Sequence, residues 1–130
     1  HYFKIYYAYF SPGNTTEKVV SHIASSFQNY PVESINLTDY ATRQEDYYFK
    51  ENELLIIGVP AYGGRVPAPV VDALRHFTGS NTPVVLVATY GNRDIDDTLI
   101  ELKKNVIDKG FIPVSAASFV CQHTFLKRMC

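Results

Sequence analysis

Apolar residues are grouped along this chain in two alternating patterns. Continuous apolar runs are typical of strands that are buried on both faces of a parallel sheet. Five such runs predict strands at residues 3–10, 32–37, 54–59, 83–89 and 111–120. The second run is the most polar of the five, so we place that strand at an edge of the sheet.

Between these runs, apolar residues recur at helical spacing and predict three helices. The first helix covers residues 16–27, and the second begins at Val70 and ends near Gly79. The third carries an apolar stripe from Ile95 to Val106 and ends at Gly110, because glycine is a common helix stop. The polar, acidic stretch at residues 38–52 predicts a connection with one helical turn.

Alternating strands and helices predict an α/β fold, with a parallel sheet and helices on both faces, in a single domain spanning residues 1–130. Five strands fit the order 2-1-3-4-5, in which a ligand crevice lies at the carboxyl ends of the first and third strands. The last ten residues are too few for a full covering helix. We therefore expect the last helix to be missing or truncated, exposing apolar sheet surface unless a partner chain or a further segment covers it.

Composition narrows the possible partners. The 130 residues are 46% hydrophobic and 19% charged, which favours a packed core over disorder. A formal net charge of −1 disfavours binding to nucleic acid. No apolar run approaches the roughly 20 residues of a membrane span, so we expect neither nucleic acid nor a membrane as a partner. Cys121 and Cys130 fit neither a redox pair nor a zinc site, and without a recognisable signal peptide they favour a cytoplasmic location.

Three polar loops follow the first, third and fourth predicted strands, so all three emerge at the same edge of the sheet. The first offers the hydroxyls of Ser11, Thr15 and Thr16, with Gly13 between them, just before a helix begins. Such a loop suits a phosphate monoester held by neutral donors and the helix dipole. The P-loop and dinucleotide motifs are absent. The alternative is an ordinary helix cap by Asn14 or Thr15.

The second and third loops each pair a tyrosine with glycine. In residues 60–67, Tyr62 precedes two glycines, and in residues 89–93, Tyr90 precedes one. A tyrosine can stack on a flat heteroaromatic ring with a gain on the order of 1 kcal/mol, and glycine lets a peptide turn toward the ring edge. The alternatives are a rigid surface turn and, for Arg93, a structural ion pair with a neighbouring aspartate.

At these three loops the sequence resembles the flavodoxin-like FMN-binding domains, most closely those fused to a bacterial-type ferredoxin module. The resemblance implies a flavodoxin-like fold and electron transfer through bound FMN to or from a redox partner protein or ferredoxin module outside this chain. No side chain is expected to act as acid, base or nucleophile, or to bind a metal. The implied cofactor-binding residues are Ser11, Gly13, Asn14, Thr15, Thr16, Pro60, Ala61, Tyr62, Gly63, Gly64, Thr89, Tyr90, Gly91, Asn92 and Arg93.

The chain also departs from this family. Pro12 stands where the family usually has Ser or Thr, which removes one hydroxyl and one N–H from the first loop. The near-neutral charge differs from that of the strongly acidic flavodoxins, so we expect a different partner surface. Two alternatives stay open: an NAD(P)H-dependent quinone or FMN reductase with a second pocket at a dimer interface, and an FMN-free interaction domain.

Overall fold

The computed structural model describes residues 4–62, 64–91 and 97–120. The elements in chain order are β1 (Lys4–Tyr9), α1 (Thr15–Ala24), β2 (Val32–Asn36), α2 (Tyr40–Arg43), β3 (Tyr47–Tyr48), β4 (Glu53–Pro60), α3 (Ala68–Leu74), β5 (Phe77–Thr78), β6 (Thr82–Tyr90), α4 (Thr98–Asp108) and β7 (Phe111–Val120). All five predicted strands and all three predicted helices are present, with altered ends. Residue 3 and Ile95, which the predictions included, lie outside the described residues.

The main sheet has five parallel strands in the order β2-β1-β4-β6-β7. Counted without the short strands, this is the predicted order 2-1-3-4-5. The central strand β4 is buried along almost its whole length, as its continuous apolar run predicts. Tyr9 pairs with Gly58, and Pro60 pairs with Thr89, so the carboxyl ends of β1, β4 and β6 lie side by side.

Helices cover both faces of this sheet, as predicted. Val19 and Val20 of α1 pack on one face, whereas Leu74 of α3 and Leu102 of α4 pack on the other. Within the described ranges, no helix is long and apolar enough to span a membrane. The expectation of a missing or truncated last helix falls on residues 121–130, outside the described part of the chain.

The prediction that the second helix continues past Phe77 is wrong. The helix ends at Leu74, and β5 pairs with β3 in a separate two-stranded sheet. The Tyr47 N–H donates to the His76 carbonyl at 2.9 Å, and the rings of Tyr47 and Phe77 lie 5.3 Å apart. This tertiary pairing overrides the helical spacing of the apolar residues. The polar connection at residues 38–52 therefore contains a strand as well as the predicted helical turn.

Close contact between α1 and β4 depends on Gly58. A Cβ atom added there would lie 2.9 Å from Thr16 Cγ2 and closer still to Val20 Cγ1. Real Cβ atoms essentially never approach other atoms so closely. The glycine therefore lets the first turns of α1 lie directly on the central strand, which sets the position of the preceding loop.

Candidate functional site

An open cleft of about 190 Å³ lies at the carboxyl edge of the sheet. The loops after β1, β4 and β6 all contribute to it. Its lining residues are Ser11, Pro12, Gly13, Thr15, Thr16, Pro60, Ala61, Tyr62, Thr89, Tyr90 and Gly91. The three loops singled out in the sequence therefore meet at one place.

Ten of the fifteen predicted cofactor-binding residues line this cleft. Asn14 and Gly64 lie in its loops but do not line it. Gly63, Asn92 and Arg93 lie outside the described residues, together with the ion pair considered for Arg93.

Pro12, which departs from the family pattern, also lines the cleft. The Asn14 N–H donates to the Ser11 carbonyl at 3.1 Å, which closes a turn with Pro12 in its second position. Proline is favoured at that position because its fixed φ suits the turn. The sequence Ser-Pro-Gly-Asn at residues 11–14 is typical of such a turn, and it is the signal that could have placed Pro12 at the cleft.

The helix that follows this turn begins with unpaired donors. Asn14 takes a left-handed conformation with φ of 66°, and its side chain makes no capping hydrogen bond. Among the described residues, neither the Thr15 N–H nor the Thr16 N–H has an acceptor. Both residues line the cleft, and Thr16 is 2% exposed. The positive end of α1 therefore presents two free donors to the cleft, as an anion site requires.

Ser11, rather than Asn14 or Thr15 of the alternative interpretation, caps the helix. Its Oγ accepts a hydrogen bond from the Glu17 N–H at 2.9 Å, and its own N–H donates to Thr38 Oγ1 at 2.8 Å. Because Oγ acts as an acceptor here, the hydroxyl hydrogen is still available to a ligand. The loop is thus held from both the helix and the segment after β2.

A buried pair of hydroxyls joins α1 to β6 beneath the cleft. Thr16 Oγ1 and Thr89 Oγ1 lie 2.8 Å apart, and either can be the donor. Whichever hydroxyl accepts keeps its own hydrogen for a third oxygen. The backbone of Thr89 also accepts from the Ala61 N–H at 2.8 Å. Thr89 therefore contacts both the first turn of α1 and the loop after β4.

We expect Thr89→Val to lower the free energy of unfolding by about 1–3 kcal/mol, because it leaves Thr16 Oγ1 buried without this partner. Valine has nearly the same shape, so packing is preserved. The double variant Thr16→Val/Thr89→Val should recover most of that loss, because neither hydroxyl then lacks a partner. Urea unfolding of the two single variants and the double variant measures this, and strict additivity would contradict the hydroxyl pair.

The opposite end of the cleft carries the two tyrosines. Backbone hydrogen bonds in both directions between Tyr62 and Arg65, at 3.3 and 3.0 Å, close a tight turn that contains Gly64 at φ of 77°. Tyr62 is 52% exposed, so much of the ring faces solvent although its backbone is hydrogen-bonded in this turn. Tyr90, the last residue of β6, is half-buried.

Glu101 of α4 fastens this second loop. Its Oε1 accepts from Arg65 Nε at 3.0 Å and from the Val66 N–H at 3.1 Å. The Arg65 hydrogen bond first, and the Val66 N–H second, lower the pKa of Glu101 below its ordinary value. The Tyr62 loop is therefore positioned from outside the sheet by a charged contact.

This contact predicts a pH-dependent stability. Because the pKa of Glu101 is lower in the folded state, its carboxylate stabilises the fold at pH values above the unfolded-state pKa, near 4.5. This stabilisation is lost as the pH falls through the folded-state pKa. We therefore expect Glu101→Gln to be less stable than the parent at pH 7, and the difference to shrink as the pH falls below 4.5. Urea unfolding at pH 7 and at several values below 4.5 measures it. A difference that stays constant with pH would mean that the carboxylate charge plays no part.

Among the described residues, no charged side chain lines the cleft. The nearest carboxylate in sequence, Glu17, accepts from the Tyr9 hydroxyl at 3.3 Å. Burial first, and the Glu17 charge second, raise the pKa of Tyr9 to about 12, so its phenol stays protonated. Among the described residues, no group of three His, Cys, Asp or Glu could hold a metal ion. The site therefore offers neutral donors at one end and aromatic rings at the other.

Solved structures of flavodoxins share this fold. The chain superposes on a flavodoxin from the domain Archaea with a TM-score of 0.67 and 14% identity, covering 98% of this chain and 91% of that one. For flavodoxin 1 from Bacillus cereus the TM-score is 0.66 at 13% identity, covering 97% and 91%. For the Flv1 flavodiiron core from Synechocystis sp. PCC6803 it is 0.63 at 17% identity, covering 98% of this chain and 33% of that one. No protein-family model and no curated protein sequence matches the chain. The fold is flavodoxin-like.

Proposed function

We propose that this chain binds FMN in the cleft and carries electrons through it. The observation that carries the proposal is the meeting of two features in one cleft: the unpaired N–H groups of Thr15 and Thr16, and the rings of Tyr62 and Tyr90. The structural neighbours named flavodoxin support the flavin assignment. When bound, FMN supplies one- and two-electron transfer chemistry.

The residues present fit the phosphate end of FMN. The N–H groups of Thr15 and Thr16, at the positive end of α1, would bind the phosphate without a basic side chain. The Ser11 hydroxyl adds a third donor, since its oxygen already accepts from Glu17. The carboxylate of Glu17, which follows these donors in the sequence, is held by a hydrogen bond from the Tyr9 hydroxyl.

The tyrosine end fits the flavin ring. The cleft volume of about 190 Å³ is below the roughly 300–1,000 Å³ of pockets that enclose a drug-sized ligand. We infer that the phosphate end of FMN lies in the cleft and that the isoalloxazine contacts Tyr62 and Tyr90 at its rim. A ring held at the rim stays accessible to a redox partner.

The direct test is the visible absorbance of the purified chain after FMN is added and the excess removed. We expect a retained flavin spectrum. Fluorescence titrations should also show a preference for FMN over riboflavin of about 10-fold or more, because a hydrogen bond to a charged group contributes about 1.5–3 kcal/mol. A protein that stays colourless in excess FMN contradicts the proposal.

Each tyrosine should contribute to flavin affinity separately from the phosphate. We expect Tyr62→Ala and Tyr90→Ala each to weaken FMN binding by up to about tenfold, since aromatic stacking contributes about 0.5–1.5 kcal/mol. Tyr62→Phe and Tyr90→Phe keep the ring and serve as controls. Fluorescence titration measures all four variants, and alanine variants that bind like the parent would show that the rings do not contact flavin.

The two alternative functions make different predictions. A reductase would oxidise NAD(P)H with a quinone or free flavin as acceptor, whereas a carrier would not do so without a partner. An FMN-free interaction domain would bind no flavin at all. The turn at Pro12 favours flavin binding over an FMN-free domain. Proline occupies the second position of this turn, where it is favoured, and the N–H groups of Thr15 and Thr16 remain free.

A further inference from the structure

One face of α4 combines exposed apolar and basic side chains. Its members follow the spacing i, i+3, i+4 and i+7, so they share one side of the helix. We define the α4 face as Ile100, Lys103, Lys104 and Ile107. Ile100 is 55% exposed and Ile107 is 50% exposed, while Leu102 and Val106 on the opposite side are buried. The outer side of an amphipathic helix is ordinarily polar, so two exposed isoleucines require a reason.

The N-terminal end of the α4 face lies next to the loop that carries Tyr62. Glu101, which follows Ile100 directly, holds Arg65 and the Val66 N–H of the Tyr62 loop. The helix packs on β6 and β7, the last two strands of the sheet. A protein docked on this face would therefore contact the molecule beside the rim where the proposed flavin ring lies.

The charges on this face select the partner. Lys103 and Lys104 are exposed, and no ion pair to either is found within the described ranges. The acidic residues of the same helix are already engaged, since Glu101 pairs with Arg65 and Asp108 lies 3.7 Å from Lys109. A second copy would bring lysine against lysine, which is unfavourable.

We propose that the α4 face docks an acidic protein surface, whose carboxylates meet the two lysines while aliphatic side chains cover the two isoleucines. Such a contact is small, as in weak and transient redox complexes. Complementary charge would raise the association rate and fix the orientation. The use of this face in electron transfer rests on the proposed function, but the docking itself does not.

The test titrates the ¹⁵N-labelled, flavin-free chain with oxidised plant-type [2Fe–2S] ferredoxin, a small acidic protein, and follows amide shifts by NMR. We expect the largest shifts on α4 and a loss of binding as salt rises from about 50 to 500 mM, since screening weakens exposed charge pairs. The variant Lys103→Glu/Lys104→Glu should lower the affinity by roughly tenfold or more. Ile100→Ser/Ile107→Ser should weaken binding without changing its salt dependence.

A matched control separates docking from net charge. Lys50→Glu/Arg75→Glu changes the net charge equally, at exposed positions before β4 and after α3. We expect it to keep the shifts on α4 and most of the affinity. Equal losses in both charge variants, shifts centred elsewhere, or no shifts at millimolar ferredoxin would overturn the proposal. So would α4 shifts that grow with the concentration of the chain alone, because they would identify a second copy as the occupant. Failure of FMN binding would leave this result unaffected.

Discussion

Gly13→Asp should lower the affinity for FMN by about 100-fold or more. Gly13 lines the cleft, and a Cβ atom added there meets nothing within 4 Å, so the side chain fits without displacing its neighbours. A carboxylate roughly 5 Å from a phosphate, at an effective dielectric of about 20, costs about 3 kcal/mol. That is a loss of about 100-fold in affinity. The same charge near the start of α1 favours the helix, so the fold should persist.

Gly13→Asn is the matched control, because it has the same shape without the charge. We expect it to bind FMN within a few-fold of the parent. Riboflavin, which has no phosphate, should bind both variants equally. Fluorescence titration with the two flavins measures this, and circular dichroism checks the fold. Equal FMN affinities in the two variants would show that the phosphate does not lie near residue 13.

Gly58→Val should destabilise the protein by about 3 kcal/mol, at the upper end of the range for overpacked cores. The added Cβ would overlap Val20 Cγ1 and lie 2.9 Å from Thr16 Cγ2, so α1 would have to move away from β4. That movement would also separate Thr16 from Thr89. We therefore expect weaker FMN binding at temperatures where the variant is still folded.

Urea unfolding measures the change, with Gly13→Ala as a control whose added methyl group meets open space. The smaller variant Gly58→Ala should be partly rescued by Val20→Ala, because that change removes the nearest clashing atom. If Val20→Ala instead adds its full cost to Gly58→Ala, then the contact between α1 and β4 does not explain the glycine.

The sequence predicted those parts of the fold that depend on simple burial. Strand β4 is buried almost throughout, so its apolar run identifies it without any knowledge of its neighbours. Phe77 could not be placed in this way, because it joins β5 only through pairing with β3, thirty residues earlier in the chain. Ile112 and Val114 of the edge strand β7 are half-exposed although they lie in an apolar run, so the run alone does not predict burial.

The candidate site was predicted in position but not in detail. Three loops at the carboxyl edge follow from the strand order alone, and they meet as expected. The engagement of Ser11 with the Glu17 N–H, and of Thr16 with Thr89, could not be read from the sequence. Both contacts depend on turns that bring distant groups together. The donors left for a ligand are therefore mainly backbone N–H groups, which the identities of the side chains do not reveal.

The position of Thr89 has a consequence for how the cleft moves. Its hydroxyl contacts Thr16 and its carbonyl accepts from Ala61, so one residue joins the start of α1 to the loop after β4. Neither segment can move away from β6 without breaking a bond to this residue. Opening should therefore be a single cooperative event rather than two independent motions, and hydrogen exchange at the Ala61 amide should report the free energy of that event. The conformational entropy of these segments is then lost when the protein folds, so a ligand does not have to order them when it binds.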